Sequence, residues 1–145
     1  MRDLPRQLTA DELAELFEGR TRLVALLAET ESPLESADDV IATLSEAEKI
    51  EALRAHPAIG ARGLSTRSAA EQGADADPAV LSELAYLNQV YEEKFGFRFV
   101  VFVAGRPKRE ILKVLDERIG NTRDDELDTG LRELVAIARN RWTRT

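Results

Sequence analysis

The chain has 145 residues, enough for one domain that hides about 70% of its extended surface without disulfide or metal staples. Its 43% hydrophobic and 32% charged residues are those of an ordinary folded protein, and the absence of cysteine excludes disulfides, thiolate catalysis and cysteine-ligated zinc or iron–sulfur centres. A single histidine, His56, excludes a multi-histidine metal cage, and 20 basic against 27 acidic residues (net charge −7) is the wrong sign for a phosphate-tracking nucleic-acid binder or an anionic membrane surface. With no apolar run near the ~20 residues of a membrane span and no apolar leader in the first residues, the sequence predicts a cytoplasmic protein with no membrane partner.

The periodicity is helical almost throughout. Thr9-Ala-Asp-Glu12 has capping-box spacing and opens a helix carrying Leu13, Leu16 and Phe17, which Gly19 ends. Thr21 starts a second helix with Leu23, Leu26 and Leu27, and Ser32-Pro33 breaks that run. A third amphipathic stretch follows Ser36 with Val40, Ile41 and Leu44 inward. Ser45-x-x-Glu48 is a second capping box, and its helix presents Ile50 and Leu53 before meeting Pro57. Residues 58–77 hold few bulky apolar groups and read as a loop with a helical turn. Asp77-Pro78, a capping residue followed by proline at the first helical position, opens a helix with Val80, Leu84, Leu87 and Tyr91. Pro107 begins another, with Ile111, Leu112, Leu115 and Ile119, closed by Gly120. Thr122 caps the last, with the stripe Leu127, Leu131, Leu134 and Ile137.

Between these helices, Phe95-Gly-Phe-Arg-Phe-Val-Val-Phe-Val103 is the only strand-like run, and a lone strand cannot satisfy its own backbone. It must be a buried helix segment, an extended connector or a strand paired across a dimer. With no internal repeat or change of composition, the expected fold is all-α: a single domain over residues 1–145, a bundle of about seven short helices with an extended apolar connector at 97–103.

Few residues stand out for chemistry. His56 lies on the inner side of its helix, and Pro57 disfavours helical backbone there. At a helix C-terminus the imidazolium is favoured, so its pKa is expected to be raised and poised for general acid or base work; the alternative is a histidine bonded to a free carbonyl. Ser68, Glu71 and Gln72 cluster in a glycine-flanked segment, either as a capping box or as a hydroxyl, carboxylate and amide converging on a small polar ligand. Asn88 interrupts an apolar face and is either a structural network residue, the favoured reading, or ligand-facing. Arg141 extends the stripe of Leu134 and Ile137, either complementing the helix dipole or anchoring a carboxylate through its fork. Asp124-Asp125-Glu126 reads as a solvated acidic helix start.

In order and spacing, His56-Pro57, Ser68-x-x-Glu71-Gln72 and Leu87-Asn88-x-x-Tyr91-x-x-Lys94-Phe95-Gly96-Phe97-x-Phe99 resemble the 2-oxo-4-hydroxy-4-carboxy-5-ureidoimidazoline (OHCU) decarboxylase family. The likeness continues through Ile111-Leu112, Arg118, Asn121 and Glu133-x-x-x-Ile137-x-x-x-Arg141. The resemblance implies an all-α, cofactor-free carboxy-lyase, commonly a homodimer, that turns a small anionic ureido-imidazoline into (S)-allantoin. It implies catalytic roles for His56 and Glu71, and substrate contacts from Pro57, Ser68, Gln72 and Arg141. It also implies main-chain contacts from Phe99, Val100, Val101, Phe102 and Val103, so that the connector would be tolerated because its backbone faces a ligand. It implies no metal. The competing expectations are a non-catalytic acidic helical binding module of the same fold, or a decarboxylase for a related ureido acid.

Overall fold

The computed structural model describes residues 7–59 and 77–143. Seven helices occur among them: α1 (Ala10–Phe17), α2 (Arg22–Leu27), α3 (Pro33–Thr43), α4 (Glu46–Ala55), α5 (Pro78–Phe95), α6 (Lys108–Ile119) and α7 (Arg123–Thr143). No strand is present among the described residues, and the fold is all-α. The long helix α7 packs against α1, α3 and α4; α2 lies against α1, α3 and α4, and α5 pairs with α6. One hydrophobic cluster runs from Leu8 to Ala138 and draws on every helix.

The local start signals act as their chemistry demands. Thr9 and Glu12 exchange hydrogen bonds at 3.1 Å each way, and Ser45 and Glu48 do so at 3.2 and 2.9 Å, satisfying amides that a helix start leaves bare. Asp77 accepts from Ala79 N–H ahead of Pro78, and Thr122 accepts from Asp125 N–H. Two starts and stops differ from expectation. Ser32-Pro33 begins α3 instead of only breaking α2, because proline's fixed φ suits the first helical turn; Pro33, Leu34 and Ala37 are the buried residues within it, while Val40 and Ile41 lie at its margin. α1 closes at Glu18, which itself takes the left-handed conformation (φ 64°), one residue before the glycine. Gly19 meets a different need: a Cβ there would stand 3.0 Å from that of Ala55, so its absence lets the α1–α2 corner touch the end of α4.

Between α5 and α6 the chain is neither helix nor sheet. Phe95, Phe97 and Phe99 gather round Tyr91, with ring centroids 4.6, 6.0 and 5.2 Å from it. Side chains from elsewhere supply hydrogen bonds that a sheet would have given. Arg118 donates to the Val100 carbonyl at 2.8 Å, Glu133 accepts from Phe102 N–H at 3.3 Å, and Arg106 donates to the carbonyls of Phe102 and Val103 at 2.6 and 3.0 Å. The resemblance implied a connector tolerated because its backbone faces a ligand; these protein side chains already satisfy part of that backbone. It ends in a tight turn whose central residues, Ala104 (φ 52°) and Gly105 (φ 76°), are both left-handed, closed by Arg106 N–H on the Val103 carbonyl at 3.0 Å. Ala104 is exposed, so Ala104→Gly removes strain of about 1–2 kcal/mol at a smaller entropic cost. A net stabilisation of about 0.5–1 kcal/mol is expected in urea denaturation, and a destabilised variant would contradict it.

Candidate active site

Helix α4 delivers His56 to the interior. The residue is the C-cap, with extended backbone (φ −81°, ψ 133°) as Pro57 requires, and it is 7% exposed. Its Nδ1 is buried with no hydrogen-bond partner among the described residues. The segment that follows is held by Asn88, whose amide donates to the Ile59 carbonyl at 3.3 Å while its own Oδ1 is likewise buried and unpaired. Native interiors rarely leave polar atoms bare, so these two are exceptions among the described residues. Asn88 thus gives only one of its polar atoms to the structural network the sequence suggested.

The imidazole's protonation is the reverse of the sequence expectation. Its pKa is lowered to about 4, first by burial, then by the Arg141 guanidinium and, more weakly, Arg98, with Glu18 opposing them. The helix end does not raise it because burial outweighs the dipole, and the Arg98 guanidinium sits at that end, its Nη1 donating to the Arg54 carbonyl at 3.1 Å and to the His56 carbonyl at 2.9 Å. His56 is neutral at neutral pH. The unfolded chain binds the proton more readily between pH 6.5 and about 4, so stability is full above pH 6.5 and falls as the pH drops through that interval. At about 1.4 kcal/mol per pH unit, lowering the pH from 7.5 to 5.0 should cost wild type about 2 kcal/mol more than His56→Gln. Urea midpoints of both proteins at the two pH values test this, and parallel losses would refute it.

Arg141 reaches the same region from the far end of α7. Its guanidinium is buried, donating to the Leu16 carbonyl at 3.1 Å and pairing with Glu18 at 3.2 Å. Glu18 holds this position from a left-handed backbone, which an L-residue adopts only at a cost that its surroundings must offset. Arg141 therefore has protein partners of its own, and sequence spacing gave no sign of Glu18. Pro57 is half-buried beside His56.

Of the connector, Phe99, Val100, Val101 and Val103 are buried and Phe102 is half-buried. The engaged groups are those already given for Val100, Phe102 and Val103. Among the described residues, nothing bonds the backbone N–H or carbonyl of Phe99 or Val101. The connector thus offers its bare main-chain groups chiefly at these two residues. Arg118, which anchors Val100, is itself buried: it pairs with Glu126 at 2.8 Å and lies over the Phe99 ring at 4.5 Å. Glu126, read from sequence as solvated, is fully buried and also accepts from Tyr91 at 2.6 Å and Asn121 at 2.9 Å. A signal was available, since Glu126, Gly130, Leu134 and Arg141 fall on one inward stripe of α7. Ser68, Glu71 and Gln72 lie outside the described residues. Among the described residues, no three acidic, histidine or cysteine side chains gather as a metal site would need.

Residues 2–143 match the family described as OHCU decarboxylase. A decarboxylase of that name from Halalkalicoccus jeotgali is 30% identical over 140 residues, covering 88% of this chain and 79% of that protein. The uric acid degradation bifunctional protein of Bacillus sp. (strain TB-90) is 30% identical over 147 residues, but this chain, aligned over 91% of its length, spans only 29% of that protein. In fold, the chain is similar to a crystal structure of OHCU decarboxylase in the presence of (S)-allantoin, with a TM-score of 0.77 at 24% identity, covering 92% of this chain and 96% of that one. The all-α fold matches, and the family match spans residues 2–143: the chain belongs to the OHCU decarboxylase family.

Proposed function

We propose that the protein decarboxylates 2-oxo-4-hydroxy-4-carboxy-5-ureidoimidazoline to (S)-allantoin in urate degradation, as a cofactor-independent carboxy-lyase. The observation that carries this reading is a neutral, buried imidazole with an unpaired Nδ1, beside Arg141, in a chain of this family. The substrate's carboxylate sits on a carbon that also bears a hydroxyl, next to an imine. When the C–C bond breaks and CO2 leaves, its electron pair forms a C=C bond to the imine carbon, and the imine pair moves onto its nitrogen, which takes up a proton; the substrate thus supplies its own electron sink. The hydroxyl then loses its proton as the carbon becomes a carbonyl, and the ureido-bearing carbon gains one on a single face. The protein's tasks are orientation, stabilisation of the developing anion and control of the proton transfers at the hydroxyl, the imine nitrogen and the ureido-bearing carbon.

In this reading His56 and Glu71 share the proton transfers, and neutral His56 enters the cycle able to accept one. Ser68 and Gln72 bind the ureido and ring polar groups, with Pro57 forming the adjacent wall. The connector 99–103 supplies main-chain contacts, chiefly from Phe99 and Val101. Arg141, already paired with Glu18, contributes positive potential toward the anionic substrate. The protein acts as a single domain and homodimer in the cytoplasm, with no nucleic-acid or membrane partner; no helix among the described residues is long and apolar enough to cross a membrane.

Because the substrate decays unaided to racemic allantoin, the test is stereochemical. The substrate is generated from urate by an oxidase and a hydroxyisourate hydrolase, and circular dichroism follows allantoin formation. Rapid growth of the (S)-allantoin signal is expected. A silent decay matching the protein-free control would reject the reading in favour of a binding module without catalysis.

A further inference from the structure

The two halves of the proposed site lie on separate stretches of chain, the end of α4 and the connector after α5, and a pair of arginines ties them together. Arg98, between Phe97 and Phe99, reaches back to the carbonyls of Arg54 and His56 at 3.1 and 2.9 Å. Arg54, on the last turn of α4, reaches the opposite way and donates to the Gly96 carbonyl at 3.1 Å. Arg98 is steadied by Glu92 of α5 at 3.4 Å. Each segment thus supplies one guanidinium and accepts from the other.

We propose that Arg98 and Arg54 form a reciprocal clasp that fixes the backbone of His56 against the substrate-facing connector, making Arg98 a positioning residue for the reaction. The inference rests on the functional assignment of His56 and the connector above. The geometry favours positioning over bulk stability. Both arginine heads end on main-chain carbonyls at the junction, and Arg98 is part-exposed, so neither anchors the apolar core. No other hydrogen bond between described groups joins the 54–56 and 96–98 segments directly. With the clasp open, the imidazole and the Phe99 and Val101 main-chain groups lose their common reference. Misalignment of that kind lowers turnover more than binding, since a displacement of about 1 Å can cost about 10²-fold.

Among the described residues, the charged groups that influence the imidazole are Arg141 of α7, Glu18 at the end of α1 and Arg98 of the connector. Because His56 is the only histidine, its ring resonances report on one site without ambiguity. The test compares wild type with Arg98→Met, Arg98→Lys and Arg54→Met, measuring kcat and KM by the stereochemical assay and the His56 titration by NMR. Arg98→Met should lower kcat by about 10–10²-fold with KM within about threefold, and shift the titration midpoint upward. Arg98→Lys should return the midpoint toward wild type but recover only part of kcat, since an ammonium keeps the charge without the rigid fork. Arg54→Met should lower kcat in the same direction, and the double Met variant should fall short of the product of the single losses, because both open one clasp.

Wild-type kcat in Arg98→Met would overturn the proposal. So would a lowered melting temperature with kcat and the His56 titration unchanged, the mark of a merely structural role. If wild type itself makes no (S)-allantoin, the functional reading fails separately, and an unmoved His56 resonance in both Met variants would still show that no clasp holds the ring.

Discussion

Replacing His56 by alanine is expected to lower kcat for (S)-allantoin formation by about 10²–10⁴-fold, leaving helical circular dichroism at pH 7.5 intact. That range is the usual contribution of a positioned acid–base group, about 3–5 kcal/mol of barrier. Burial and Arg141 keep the ring neutral, so under the proposed function it needs no deprotonation before it can take part in the proton transfers it shares with Glu71. If it takes up a proton it becomes an imidazolium in a site where burial disfavours charge, and so a strong acid. The same physics sets the pH dependence. The acid limb of kcat/KM, which reports the free enzyme, is expected near pH 4 and not near the ordinary histidine value of 6.5. Full activity in His56→Ala would remove the histidine from the mechanism, and an acid limb at 6.5 would mean that water or substrate reaches the ring more freely than its burial implies.

What the sequence made legible was what lies close along the chain. Capping boxes at Thr9 and Ser45, and the Asp77-Pro78 start, are local exchanges of three or four residues and needed no tertiary information. Ser32-Pro33 was ambiguous because proline both ends one helix and begins another. The connector's departure from sheet and helix was visible in its composition, but the residues that satisfy it were not. Arg118 and Glu133 come from α6 and α7, and only the folded chain brings them to Val100 and Phe102. His56 illustrates the division most sharply. Its place at the end of α4 followed from Leu53 and Pro57. Its charge state did not, because that depends first on burial in the folded chain, then on Arg141 from the last helix and on Arg98 at the end of α4. Glu18 gave no signal at all, since nothing in Phe17-Glu18-Gly19 announces a left-handed glutamate. The Ser68-x-x-Glu71-Gln72 reading lies outside the described residues and rests on the family resemblance.

The second large effect is expected at Glu126, a residue to which no substrate contact is assigned. Glu126→Ala should destabilise the protein by about 3–5 kcal/mol, enough to lower its melting temperature by about 10 °C or more. The carboxylate is fully buried and serves three donors: Arg118, Tyr91 and Asn121. Removing it leaves the Arg118 guanidinium, which already has one buried nitrogen (Nη2) without a partner, as an uncompensated buried charge. An exposed pair makes the comparison. Glu46 and Arg123 also form an ion pair, yet Glu46→Ala should cost less than about 1 kcal/mol because water replaces the lost partner. The double variant Arg118→Met/Glu126→Leu should be more stable than Glu126→Ala alone, since it removes both charges and fills the space. It should nevertheless lose turnover, because Arg118 also holds the Val100 carbonyl and so the connector. Stability restored with activity still impaired would separate the network's two roles, holding the fold and shaping the connector. Glu126→Ala within 1 kcal/mol of wild type would mean instead that Arg118 finds water when its carboxylate is gone, and that the pair is not the closed interior contact its burial describes.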